Sequence, residues 1–186
     1  YELTEQHLTI ASVPDHFTLR TLVVICPEEN TSLEGFYRSQ SAYCTQCEAE
    51  GFRKITYFLD RPDVMAVYTV TLEAQRAECP VLLSNGNLVK EESLDDGWHR
   101  AVWHDPFPKP SYLFAMVAGD LKRVSDAFTT CSGKVVDLHI WVEEKDLGYC
   151  DHAMSSLKEA MRWDEGVYGL EYDLDLYNIV AVDDFN

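Results

Sequence analysis

The stretch YLFAMVAGDLKRVSDAFTT (112–130) decides how this chain is divided. Up to Gly119 it reads as a buried strand, YLFAMVAG (112–119), and from Leu121 a different pattern begins. Towards the N-terminus every apolar segment reads as a strand. LTEQHLTI (3–10) and FTLRTLVVIC (17–26) alternate or run apolar. FRKITYFL (52–59) is rich in β-branched and aromatic residues, and VMAVYTVTLEA (64–74) puts Val64, Ala66, Tyr68 and Val70 on one side. PVLLSNGNLV (80–89) sets Asn85-Gly86 between apolar runs, a strong hairpin signal. WHRAVWH (98–104) alternates again, whereas DPFPKP (105–110) is expected as an extended loop, because its three prolines forbid helix and ladder alike. Strands at short spacing without long helices predict an antiparallel sandwich or curved sheet.

Towards the C-terminus the pattern mixes. LKRVSDAFTT (121–130) and KVVDLHIWVE (134–143) form a pair joined by Cys131-Ser132-Gly133. A helix follows, with Asp151 as its cap, an apolar stripe of Ala153, Met154, Leu157, Ala160 and Met161, and Gly166 and Gly169 at its end. LDLYNIVAVD (174–183) is the last strand. The expected fold is mainly β: a curved antiparallel sheet or sandwich over residues 1–120, then an α/β portion over 121–186, with the boundary near Asp120.

The charge narrows the partners. A net charge of -17 over 186 residues excludes nucleic acid and an anionic membrane surface, both of which call for basic patches. No apolar run approaches the length of a membrane span. Six cysteines are too few for a disulfide scaffold, which points to a reducing, cytoplasmic chain. No signal peptide is present, the chain does not begin with Met, and it ends straight after a strand-like run, so both ends look cut.

The chemistry concentrates at YCTQCEAEGFR (43–53). Cys44 and Cys47 have C-x-x-C spacing, but a structural zinc site commonly takes a second such pair, and there is none. A redox pair of the thioredoxin kind has a helix after it, and here a strand is expected. Two small buried hydrophobes are the commoner condition of such cysteines. Gln46 and Glu48 are two apart, which in an extended segment puts both on one face, where an amide oxygen and a carboxylate can accept from a single ammonium. A solvated loop is the blander alternative. His99 and His104 read as polar residues of an edge strand facing opposite sides. Asp183 and Asp184, after the last strand, are strand-end carboxylates of the kind found in active sites. The six histidines show no metal-ligand spacing.

Longer segments carry a resemblance. NTSLEGFYRS (30–39), YCTQCEAEGFRKITYFLDRPDV (43–64), LLSNGN (82–87), DPFPKPSYLFAMVAGD (105–120), MSSLKEAMRWDEGVYGLEYDLDLY (154–177) and IVAVDDFN (179–186) are similar, in order, to the bacterial aminopeptidase N family of zinc-dependent gluzincin metallopeptidases. The resemblance implies a β domain, cut at its start, over 1–120, and the opening of a thermolysin-like catalytic domain over 121–186. It implies that Gln46 and Glu48 accept hydrogen bonds from the α-amino group of a peptide substrate, so that one residue is measured off and the first peptide bond presented to zinc. In the family the G-A-M-E-N motif comes after the segment matching VAVDDFN, and the H-E-x-x-H ligands come later. Zinc would activate water there, with the Glu of that motif as general base. The parent would then be a zinc aminopeptidase whose missing catalytic and C-terminal domains are this segment's partners. The segment alone would bind no catalytic zinc and hydrolyse nothing. Asp184 stands where the family has an aromatic. A non-catalytic β binding module, from a relative without zinc ligands, is the alternative.

Overall fold

The computed structural model describes residues 1–5 and 7–185. Twelve strands and one α-helix form among them. β1 (Glu2–Leu3) and β2 (Leu8–Thr9) pair as a small ribbon, Leu3 opposite Leu8, so the strand expected over 3–10 turns back on itself, with Gln6 outside the described residues. Residues 17–26 join no ladder among the described residues. The period of two survives in their exposure: Leu22 and Val24 are 94% and 88% exposed, Val23 and Ile25 less than half of that. Alternation marks a strand only where a neighbour supplies its hydrogen bonds.

Two antiparallel sheets take up most of the chain between Gly35 and Gly119. One holds β3 (Gly35–Ser39), β4 (Ala42–Gln46), β9 (Met116–Gly119) and β6 (Val81–Ser84), in that order. The other holds β5 (Met65–Gln75), β8 (Trp98–Pro110) and β7 (Asn87–Ser93), with β8 central. Ala66, Tyr68 and Val70 point inward from β5, as the alternation predicts. Leu82 and Leu83 of β6 pack against Ala101 and Trp103 of β8 to form the core between the sheets.

Asn85-Gly86 does not close a hairpin. β6 pairs with β9 and β7 with β8, so the chain crosses from one sheet to the other there. Gly86 has φ +86, and a Cβ on it would lie 2.1 Å from the His104 carbonyl oxygen. Asn85 is occupied elsewhere: its amide donates to Leu113 O at 3.0 Å and its oxygen accepts from Ala115 N–H at 2.6 Å. DPFPKP is also reassigned, because β8 runs through it to Pro110. The ladder with β5 skips Pro106 to Pro108, a bulge between Ala66 and Tyr68 that spares the prolines from donating. FRKITYFL forms no strand. It opens as a 3-10 turn, Phe52–Lys54.

The third sheet orders β10 (Lys122–Thr129), β11 (Val135–Val142) and β12 (Leu176–Val180). β10 and β11 form the expected hairpin, and β12 joins β11 in parallel after α1 (Cys150–Tyr168). Met154 and Met161 of α1 bury against Val136, Leu138 and Ile140. Asp151 does not cap the helix. A 3-10 turn, Glu144–Tyr149, runs directly into it, and Asp151 sits in the first turn. Gly166 stays helical, and Gly169, at φ +64, ends the helix with its N–H on Glu165 O. No helix among the described residues is long and apolar enough to cross a membrane.

Candidate functional site

The site lies where β4 runs out of its ladder. Gln46 is its last residue, opposite Gly35 of β3, and is half-buried. Cys47 is buried, and Glu48, Ala49 and Glu50 form an exposed turn. The extended geometry that would align Gln46 with Glu48 therefore ends at Gln46, and Glu48 opens the turn, with a cis peptide to Ala49. Among the described residues Glu48 enters no ion pair.

The turn is closed tightly. Gly51 N–H donates to Cys47 O at 2.8 Å. A Cβ on Gly51 would sit 2.4 Å from Gln46 O, so no larger residue fits without movement. Phe52 then drops into an aromatic cluster, 5.0 Å from both Phe58 and Phe114, which closes the base of the turn. Arg53 fixes the far side. Its backbone N–H and Nε both donate to Asp60 Oδ2 at 3.0 Å, Nη2 donates to Asp60 O at 2.7 Å, and Nη1 reaches Glu50 at 3.2 Å. The other oxygen of Asp60 accepts from the Ser111 hydroxyl. Asp60 and Ser111 are both buried. Burial pushes the Asp60 carboxyl up, but the hydrogen bonds from Ser111 and Arg53 outweigh it and hold it below the usual carboxylate range. On the strand itself, Thr45 Oγ1 accepts from Met116 N–H at 3.0 Å.

The two thiols of the C-x-x-C are inert in this setting. Burial raises Cys44, and burial together with the Asp60 charge pushes Cys47 up to about 12. Among the described residues no group of three or more His, Cys, Asp or Glu side chains is placed so that it could hold a metal ion. His99 is not an edge residue: it points into the core from central β8, with Nε2 2.6 Å from Cys79 O. His104 faces the other side, its Nδ1 2.8 Å from Thr69 Oγ1. Asp183 pairs with Lys145 at 2.6 Å. Asp184 is held through its backbone, its C=O accepting from Tyr37 OH at 2.9 Å and its N–H donating to Ser39 Oγ at 3.0 Å. Asn186 lies outside the described residues. Asp60, Ser111 and Tyr37 carry no motif in the sequence. The one signal there is an acid seven positions after Arg53, which acquires meaning only once the turn is folded.

Comparison with known proteins places these features. Residues 7–113 match the family model described as Peptidase M1 N-terminal domain. Aminopeptidase N of Escherichia coli (strain K12) is 54% identical over 182 residues, covering 98% of this chain and 21% of its own length. Aminopeptidase N of Caulobacter vibrioides is 55% identical over 186 residues, 100% of this chain and again 21% of its own. The crystal structure of Legionella pneumophila aminopeptidase A in complex with aspartic acid superposes with a TM-score of 0.81 at 41% identity, over 84% of this chain and 18% of that one. The chain thus spans about a fifth of the length of the curated relatives it matches. On the family match and these identities, it belongs to the M1 peptidase family, with that family's N-terminal domain over residues 7–113.

Proposed function

We propose that this chain is the N-terminal part of a zinc-dependent aminopeptidase and that Gln46 and Glu48 anchor the α-ammonium of a peptide substrate. The observation that carries the reading is the turn itself: an exposed carboxylate with no ion pair among the described residues, one position beyond a buried cysteine, on a loop whose ends are pinned. An ammonium has three donors, and the Gln46 amide oxygen and the Glu48 carboxylate are acceptors of the right chemistry. Holding that group fixes the register of the substrate, so hydrolysis is confined to the first peptide bond. Residues 1–120 act in this reading as the β domain, and 121–186 as the opening of a thermolysin-like catalytic domain. Zinc and its ligands belong to polypeptide outside these residues, and the segment by itself is inactive. The whole enzyme works on peptides in the cytoplasm.

The test exchanges this chain for the matching segment of Escherichia coli aminopeptidase N and introduces Glu48→Gln. Loss of the charge-assisted bond is expected to lower kcat/KM on an alanyl p-nitroanilide by about 2 kcal/mol or more, roughly thirtyfold, mostly through KM. A change under about twofold would remove the anchor role.

A further inference from the structure

Gln46 is held by the β3–β4 ladder, but Glu48 belongs to no ladder. Its position depends on how the turn after β4 is fastened. One fastening is the Gly51 N–H on Cys47 O, within the turn. The other is Asp60, which ties the turn to distant parts of the chain. Its carboxylate receives Arg53 from the end of the turn and Ser111 from the 3-10 turn Ser111–Leu113, directly after β8. The side chain of Asp60 is only 3% exposed, so these donors replace the water it has lost.

The same bonds decide where a positive charge goes. The turn carries two carboxylates, Glu48 and Glu50, and one cation, Arg53. Asp60 takes Nε and Nη2 of the guanidinium through its carboxylate and its carbonyl, and Nη1 then reaches Glu50. With every face of the fork engaged, Arg53 is oriented towards Glu50 and Asp60, and Glu48 is left as the unneutralised acid. A planar guanidinium released from Asp60 would lose that fixed orientation and could turn to other acceptors of the turn.

We propose that Asp60, acting through Arg53 and Ser111, is a positioning residue for substrate anchoring: it fastens the Cys47–Arg53 turn to the end of β8 and commits the guanidinium to Asp60 and Glu50. This rests on the reading of Gln46 and Glu48 as the α-amino anchor. Asp60 touches no substrate. It sets the place and the charge of a group that does.

The experiment uses the full-length enzyme carrying this segment, with Asp60→Asn, Ser111→Ala, Glu48→Gln and the double variant Asp60→Asn/Glu48→Gln. Asp60→Asn is expected to raise KM for an alanyl p-nitroanilide about tenfold while kcat stays within about threefold. Inhibition by a competitor of the same shape without the amino group should move less than about twofold, because that ligand never uses the anchor. The double variant should be no worse than Glu48→Gln alone, within about twofold, since the two act through one contact. Independent, multiplicative losses, or equal weakening of both ligands, would make Asp60 merely structural and overturn the proposal. Should Asp60→Asn fail to fold, Ser111→Ala removes one bond only and is expected to raise KM about threefold with the same selectivity; no change there overturns it equally. If Glu48→Gln itself leaves KM unmoved, the anchor reading falls and takes this inference with it. If Glu48→Gln raises KM while Asp60→Asn and Ser111→Ala do not, the anchor stands and only the positioning role is lost.

Discussion

Asp60 shows how a single buried acid fixes an exposed turn. Its carboxyl is held below the usual range because burial, which raises it, is outweighed by Ser111 and Arg53. The folded state therefore binds this proton less readily than the unfolded chain. The stability it contributes is present above the unfolded carboxylate value of 3.8 and is lost as pH falls through the lower, folded one. The difference in melting temperature between the wild-type chain and Asp60→Asn should be widest at about pH 5 and above, and should narrow on acidification below about pH 4. A gap that stayed constant down to about pH 2 would mean that Asp60 is not ionised in the fold. At this scale the sequence singles out Gln46 and Glu48 through the resemblance alone, because the same-face argument from their spacing needs an extended segment and the strand ends at Gln46. Asp60 and Ser111 stay hidden because their meeting spans 51 positions and is made by the fold, not by a motif. Cys44 and Cys47, conspicuous in the sequence, are buried thiols with raised pKa values.

Elements were legible where they are local and misread where their partner is remote. The β10–β11 hairpin is joined by a short turn, and α1 shows its apolar stripe, so both follow from the chain itself. Asn85-Gly86 has the residues of a hairpin, but β6 finds β9 and β7 finds β8, and a turn signal does not say which strands it joins. β3 and β4 carry no clean alternation on their outer faces and do not stand out as strands, although they bear the candidate site. DPFPKP joined a strand because the bulge opposite Ala66 to Tyr68 absorbs its prolines. For α1 the stabilising element is its buried face rather than a cap, since no side chain caps its first turn. Met154 is 6% exposed and packs among Val136, Leu138 and Ile140. Met154→Ala should cost about 2–5 kcal/mol, read as a lower urea midpoint with unchanged slope. Asp151→Ala, by contrast, removes no cap bond and should cost less than about 0.5 kcal/mol in the same measurement.

Across the whole molecule, the third sheet does not hang apart from the other two. Trp141, Leu176 and Val180 pack on the core formed by Leu82, Leu83, Ala101 and Trp103. Asn87 and Asp175 exchange two hydrogen bonds, Asn87 Nδ2 to Oδ2 at 3.2 Å and Asp175 N–H to Asn87 Oδ1 at 2.9 Å. Ser41 donates to Glu143 at 2.7 Å, and Tyr37 and Ser39 hold the backbone of residue 184. Main-chain atoms make the shorter bonds of that last contact, and the Asp184 carboxylate adds longer ones, accepting from Ser39 Oγ at 3.4 Å and from Gln40 Nε2 at 3.5 Å. Trp141 is the pivot of the junction. Its indole N–H donates to Asn178 Oδ1 at 2.8 Å, Arg123 stacks 5.4 Å above its ring, and a cavity of about 130 Å³ lies beside it. Trp141 and Trp103 together line that cavity, so a junction already partly hollow depends on the Trp141 side chain more than a filled one would. The wild-type chain should therefore melt in one calorimetric transition, because the sheets share a core. Trp141→Ala enlarges the cavity and removes the indole bond, at about 3 kcal/mol or more. The transition should then split in two, residues 121–185 losing protection from hydrogen exchange before β5 and β8. A single transition, merely shifted to lower temperature, would show that the polar contacts at Asn87, Ser41 and Tyr37 couple the sheets without the tryptophan.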